Sequence, residues 1–153
     1  RMRPDRILVG ECRSGEALDM LQAMNTGHDG SMTTIHANTS EEVIKRLEVL
    51  VLMAVDLPVA SIHRQISSAL NVIVQITRFY DGKRRVSQIS EVTGYDPERG
   101  EVIIHDIFNL RDGHTLQPTG YLPTFIETLM RKNLLALEFL YGKEEGQLAV
   151  ATH

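Results

Sequence analysis

Glu11, Arg13 and His36 are polar residues whose types could do chemistry together, provided the chain brings them to one place. Glu11 follows the apolar run Ile7-Leu8-Val9 after a single glycine, and Arg13 stands just beyond it. His36 closes a second run, Met32-Thr33-Thr34-Ile35. A carboxylate and an imidazole that converge can orient a water molecule, hold Mg²⁺ through water, or sense a phosphate. Taken singly, each has a plainer reading. Glu11 reads as a solvated loop cap, His36 as a satisfied structural histidine, and Arg13 as a surface ion-pair partner. Cys12 has no histidine near it in sequence and reads as a small buried filler, not a nucleophile. His28 and His36 lack the i, i+4 spacing of a helical metal pair, so zinc is a poor reading.

The elements that must position these residues are legible in the pattern. Residues 6–10 read as a short buried strand bounded by a turn signal. Ser14-Gly15 opens a helix with Ala17, Leu18, Leu21 and Met24 on one stripe, and Glu16 and Asp19 in the first turns suit the helix dipole. Gly27 ends it. A second strand is expected over 31–37. Thr39 and Glu42 stand at capping-box spacing before a helix whose stripe is Val43, Leu47, Leu50 and Ala54. Pro58 starts a third helix with Val59, Ile62, Ile66 and Ala69 inward. Strand, helix, strand, helix argues for a parallel α/β sheet. Ligands bind beyond the carboxyl ends of such strands, so neighbouring strands would bring Glu11 and His36 to one rim.

The rhythm then changes. Strands over 72–79, 85–95 and 101–109 are joined by Asp81-Gly82 and by the turn 96–100, forming an antiparallel meander. A helix is expected near 122–132, followed by another short one over 134–141, and the tail after Gly142 is polar and small. The expected division is 1–110 and a helical appendage with tail, 111–153.

Composition bounds the function. The 153 residues are 42% hydrophobic and 24% charged with a net charge of -4, an ordinary globular balance. There is no basic run, so nucleic acid is not an expected partner. Lys83-Arg84-Arg85 is explained by a solvated hairpin tip. A single cysteine rules out an internal disulfide and a multi-cysteine zinc site. No apolar stretch approaches the roughly 20 residues of a membrane span.

The stretch RMRPDRILVGECRSGEALDMLQAMNTGHDGSMTTIHANT resembles the central segment of the secretion ATPases of type II and type IV systems and type IV pili. It looks most like the branch that powers tight-adherence (Flp-type) pili. RILVGE corresponds to the Walker B box and GSMTTIHAN to the histidine box. The resemblance runs from Arg1 to about Asp112. It implies the second half of a RecA-like P-loop NTPase motor domain, cut just upstream of Walker B, then the meander and a small helical part.

By the same resemblance, Glu11 polarises the attacking water or holds it with Mg²⁺, and His36 contacts the terminal phosphate of ATP and reports hydrolysis. Arg13 anchors the acid loop or reaches a subunit interface, and Arg1 and Arg3 lie near the nucleotide. ATP and Mg²⁺ are the implied cofactors. A homo-hexamer acting on an inner-membrane platform protein from the cytoplasmic side is the implied assembly. The motif G-x-x-x-x-G-K-[ST] is absent from the sequence, so the chain alone is expected to be inactive. Two alternatives stay open: a non-catalytic binding or assembly module, and a RecA-like nucleic-acid translocase, which the acidic balance disfavours.

Overall fold

A computed structural model describes residues 4–28, 30–110 and 115–135. The chain divides into two compact units, Arg1–Tyr121 and Leu122–His153. The first contains β1 (Leu8–Val9), α1 (Glu16–Asn25), β2 (Met32–Thr33), α2 (Ser40–Ala54), α3 (Val59–Ala69), β3 (Val72–Arg78), β4 (Arg84–Asp96), β5 (Glu101–Leu110) and β6 (Leu116–Pro118). The second contains α4 (Ile126–Arg131). The fold is mixed α/β: β1 and β2 form a parallel pair, and β3-β4-β5-β6 form an antiparallel sheet in that order.

The three long helices form because their apolar positions recur at helical spacing and their ends are marked. Thr39 is extended and its hydroxyl accepts the Glu42 N–H at 3.2 Å, starting α2. Pro58 precedes α3 with φ near −57°, already suited to a helix start. Leu21, Leu47, Leu50, Val51, Ile62 and Ile66 are completely or almost completely buried. They join α1, α2 and α3 with Ile73 and Val92 of the meander in one core. Each such side chain contributes about 1.5–3 kcal/mol by leaving water.

Several expectations are corrected. The first strand is shorter than 6–10 and is not buried: Leu8 is 69% exposed. Among the described residues this strand pairs with β2 alone, and Met32, the register partner of Leu8, is likewise 63% exposed. The strand expected over 31–37 is regular only at Met32–Thr33. In α1, Met20 joins the buried face while Leu18 and Met24 are only partly covered. Ala54, at the end of α2, is exposed.

The meander has the expected strands. Its turns use Gly82 and Gly100 at φ of 78° and 70°, where a Cβ would be strained. β6 was not expected. It pairs Phe108 with Pro118 on the sheet edge, a position where proline's missing N–H is tolerated. The helix expected over 134–141 falls mostly outside the described residues.

Candidate functional site

Leu8 lies opposite Met32 and Val9 opposite Thr33 in the parallel pair. Parallel strands deliver their carboxyl ends to one rim. Backbone bonding continues past the strands. The Cys12 N–H donates to the Thr34 carbonyl at 2.9 Å, and the Thr34 hydroxyl donates to the Gly10 carbonyl at 2.5 Å. These bonds lead Glu11 and His36 out of the sheet side by side. His36 Nε2 lies 2.9 Å from Glu11 Oε1, and Arg13 forms an ion pair with Glu11 Oε2. Glu11, Arg13 and His36 therefore meet. Arg1 and Arg3 lie outside the described residues.

Exposure orders the three. The Glu11 side chain is 22% exposed, while those of Arg13 and His36 are 76% and 89% exposed. The acid is the inner member, with its two partners toward solvent. The hydrogen bond from Arg13, together with the charges of Arg13 and His36, holds the Glu11 carboxyl below its ordinary value against the opposing effect of desolvation. A carboxylate held this way stays ionised and takes up a proton reluctantly. Such a group can orient a water or a hydrated cation, and stronger base behaviour requires release from Arg13 or His36.

Glu16 is the residue that sequence reasoning missed at this site, having been assigned only to the helix dipole. Its Oε1 accepts the N–H groups of Arg13 and Ser14 at 2.8 and 3.1 Å, and its Oε2 accepts the Ser14 hydroxyl at 2.7 Å. These donors, led by the Arg13 N–H, lower its pKa to about 2. Glu16 thus folds the loop between β1 and α1 and fixes the backbone that carries Arg13. The spacing Ser14-Gly15-Glu16 was the available signal. Cys12 sits beneath, 3% exposed, and burial pushes its thiol pKa up.

The loop after His36 is pinned as well. Glu42 Oε2 accepts the Asn38 N–H and Asn38 Nδ2 at 2.8 and 2.9 Å. The Thr39–Glu42 pair therefore forms the first half of the expected capping box, and Glu42 turns to Asn38 for the second. An open depression beside His36 is lined by Asn38, Glu42, Lys45 and Arg46. Among the described residues no group of three or more His, Cys, Asp or Glu could hold a metal ion directly. One carboxylate fits Mg²⁺ only through its water shell, which is how that ion is often held. Among the described residues no helix is long and apolar enough to cross a membrane.

Comparison with known proteins finds a matching family and several relatives. A family model described as type II/IV secretion system protein matches residues 1–111. The conjugal transfer protein TrbB of Rhizobium radiobacter is 45% identical over 95 residues, covering 62% of this chain and 28% of that protein. The type IV secretion system protein VirB11 of Brucella suis biovar 1 (strain 1330) is 40% identical over 101 residues, covering 63% of this chain and 27% of that protein. The crystal structure of the VirB11 ATPase from the Brucella suis type IV secretion system, in complex with sulphate, superposes with a TM-score of 0.54 at 36% identity, covering 58% of this chain and 28% of that one. The chain spans about a third of the length of the relatives it matches. On the family match and these likenesses, the chain belongs to the type II/IV secretion ATPase superfamily.

Proposed function

We propose that this chain supplies one rim of a nucleotide-hydrolysing site in a motor that powers secretion or pilus assembly. The observation that carries the reading is the 2.9 Å contact between Glu11 and His36 across adjacent parallel strand ends. Glu11 orients the attacking water or the water shell of Mg²⁺. When bound, Mg²⁺ supplies charge stabilisation on the phosphates. His36, already bonded to the acid, faces the terminal phosphate and senses its departure. Arg13 holds Glu11 in its ionised form, and Lys45 and Arg46 lend positive charge to the depression beside His36. The complete protein acts as a homo-hexamer with ATP and Mg²⁺, on the cytoplasmic side, against an inner-membrane platform protein.

The grip on the β- and γ-phosphates comes from a P-loop, which this sequence lacks. The chain alone therefore binds Mg-ATP weakly and does not turn it over. The same absence favours a second reading, a non-catalytic assembly module. The deciding experiment is Glu11→Gln in a protein that carries this chain together with a P-loop. Glutamine keeps the shape and loses the charge. Retained nucleotide binding with abolished hydrolysis supports the catalytic role. Hydrolysis within twofold of the unaltered protein leaves Glu11 as a loop cap, whereas no hydrolysis in the unaltered protein favours the assembly module.

A further inference from the structure

Side chains outside the rim tie the His36 loop to the antiparallel sheet. Ser40, the first residue of α2, and Ser90 of β4 are both fully buried, and their hydroxyls lie 2.9 Å apart. The Ser90 hydroxyl donates to Asp106 Oδ1 of β5 at 2.7 Å. Asp106 also accepts from Gln88 Nε2 at 2.7 Å and, on its other oxygen, from Asn109 Nδ2 at 3.1 Å. Burial alone would raise the Asp106 pKa, but the bonds from Ser90, Gln88 and Asn109 outweigh it and hold the group below its ordinary value.

The ionised carboxylate can only accept. Ser90 has one proton and gives it to Asp106, so it must accept from Ser40. The result is a one-way relay, Ser40 to Ser90 to Asp106, in which each bond polarises the next. A register shift between Ile89 and Ser90 is what sets Ser90 opposite Asp106. A second tie is independent of the first: Gln75 Nε2 on β3 donates to the Ala37 carbonyl at 2.9 Å. Ala37 directly follows His36 in the chain, and Ser40 opens the next helix.

We propose that Ser40, Ser90, Asp106 and Gln75 are positioning residues for His36, and that the antiparallel sheet sets the Glu11–His36 contact through these two ties. A displacement of β3 or β4 against α2 then moves His36 with it. The consequence for turnover rests on the hydrolytic reading of the rim; the mechanical tie does not.

The test is amide hydrogen exchange and ¹⁵N imidazole NMR on this chain, comparing Ser90→Ala and Gln75→Met with Ser87→Ala. Ser87 pairs with Thr77 at 2.7 Å on the same sheet and reaches only the backbone carbonyl of Gln75, at 3.4 Å, so its loss leaves both ties in place and it serves as the control. The readout amides are those of Asn38, Glu42 and Val43, whose bonds define the loop and the helix start. In both test variants their exchange is expected to quicken roughly fivefold, the weight of about one net hydrogen bond. The His36 ring signals should shift as its bond to Glu11 weakens, and Ser87→Ala should change neither. Gln75 is only partly buried, so Gln75→Met reports even if Ser90→Ala fails to fold. Unchanged loop exchange and unchanged His36 signals in a folded test variant would overturn the proposal. A loosened loop supports the ties; if hydrolysis is also absent from every form of the protein carrying a P-loop, the tie stands and the hydrolytic reading fails.

Discussion

Glu11 Oε1 lies 2.9 Å from His36 Nε2 across the ends of β1 and β2, while Arg13 holds the other oxygen. Both oxygens of the acid are thus engaged by the protein itself. Each oxygen keeps a second lone pair, so a water or hydrated cation can join this carboxylate beside His36 or Arg13.

The first prediction follows from that sharing. Arg13, by hydrogen bond and charge, and then His36 keep the Glu11 pKa below 4.5. Arg13→Ala should raise it most and His36→Ala less, following the order of the causes. A ¹³C carboxyl titration of Glu11 in the chain and both variants checks this. An equal or greater rise in His36→Ala would mean that the imidazole, not the guanidinium, holds the acid.

Glu16 makes a sharper case because its shift is larger. Its pKa is lowered from 4.5 to about 2 by the N–H of Arg13, the Ser14 hydroxyl and neighbouring backbone donors. A depressed carboxyl pKa contributes stability that is complete above the unfolded value and is lost as pH falls through the folded one. The contribution of Glu16 should therefore be full above about pH 4.5 and fade toward pH 2. Glu16→Gln should lower the thermal midpoint at pH 6, with the gap to the unaltered chain closing as the pH approaches 2. A gap that stays constant over this range would show that the charge of Glu16 does not clamp the loop.

The sequence carried the rim further than it carried the strands. Glu11 and His36 were expected at one edge because each follows an apolar run, and parallel pairing fixes their side. Strand lengths were misjudged because β-branched residues continue to Ile35, whereas regular pairing stops at Thr33. The β1 run was expected to be buried because it is apolar, yet burial depends on what covers each face, and Leu8 has little over it. The polar relay from Ser40 to Asp106 has a separation of 50 residues at its first link, and no local pattern could disclose it. It also depends on a bulge, which shifts register without a sequence signature in this case.

Gly15 offers a similar lesson and a third prediction. It reads in sequence as a helix opener, and its φ of −60° demands no glycine. The reason for glycine is contact: a Cβ there would stand 2.8 Å from the Ala54 Cβ at the end of α2. Gly15→Ala should therefore cost about 1–3 kcal/mol, the usual range for overpacking. Adding Ala54→Gly removes the clashing atom and should recover part of that loss, less about 1 kcal/mol for glycine in a helix. Denaturant melts of the two single variants and the double variant give the coupling energy. Additive effects would show that the two sites do not touch in the way described.

The final prediction concerns β3. Among the described residues it is an edge strand, whose Ile73 faces the core while Val72, Val74 and Ile76 are 43%, 52% and 57% exposed. Residues 33–37, from the last residue of β2 onward, line the same cleft as residues 72–76, and Met32 beside them is 63% exposed. An exposed edge with an apolar, β-branched face is a template for pairing with another chain. Lys or another inward charge, the usual protection of such an edge, is absent from the run Val72-Ile73-Val74-Gln75-Ile76. The chain should therefore self-associate as its concentration rises, through β3. Light scattering over a dilution series measures this, with Val74→Lys as the comparison. Val74 is exposed, so the lysine head stays in water and the fold should tolerate it. The expected outcome is a rising mean mass for the chain and a monomer for the variant. A strict monomer at high concentration in the unaltered chain contradicts the edge argument, and association that survives Val74→Lys moves the contact away from β3.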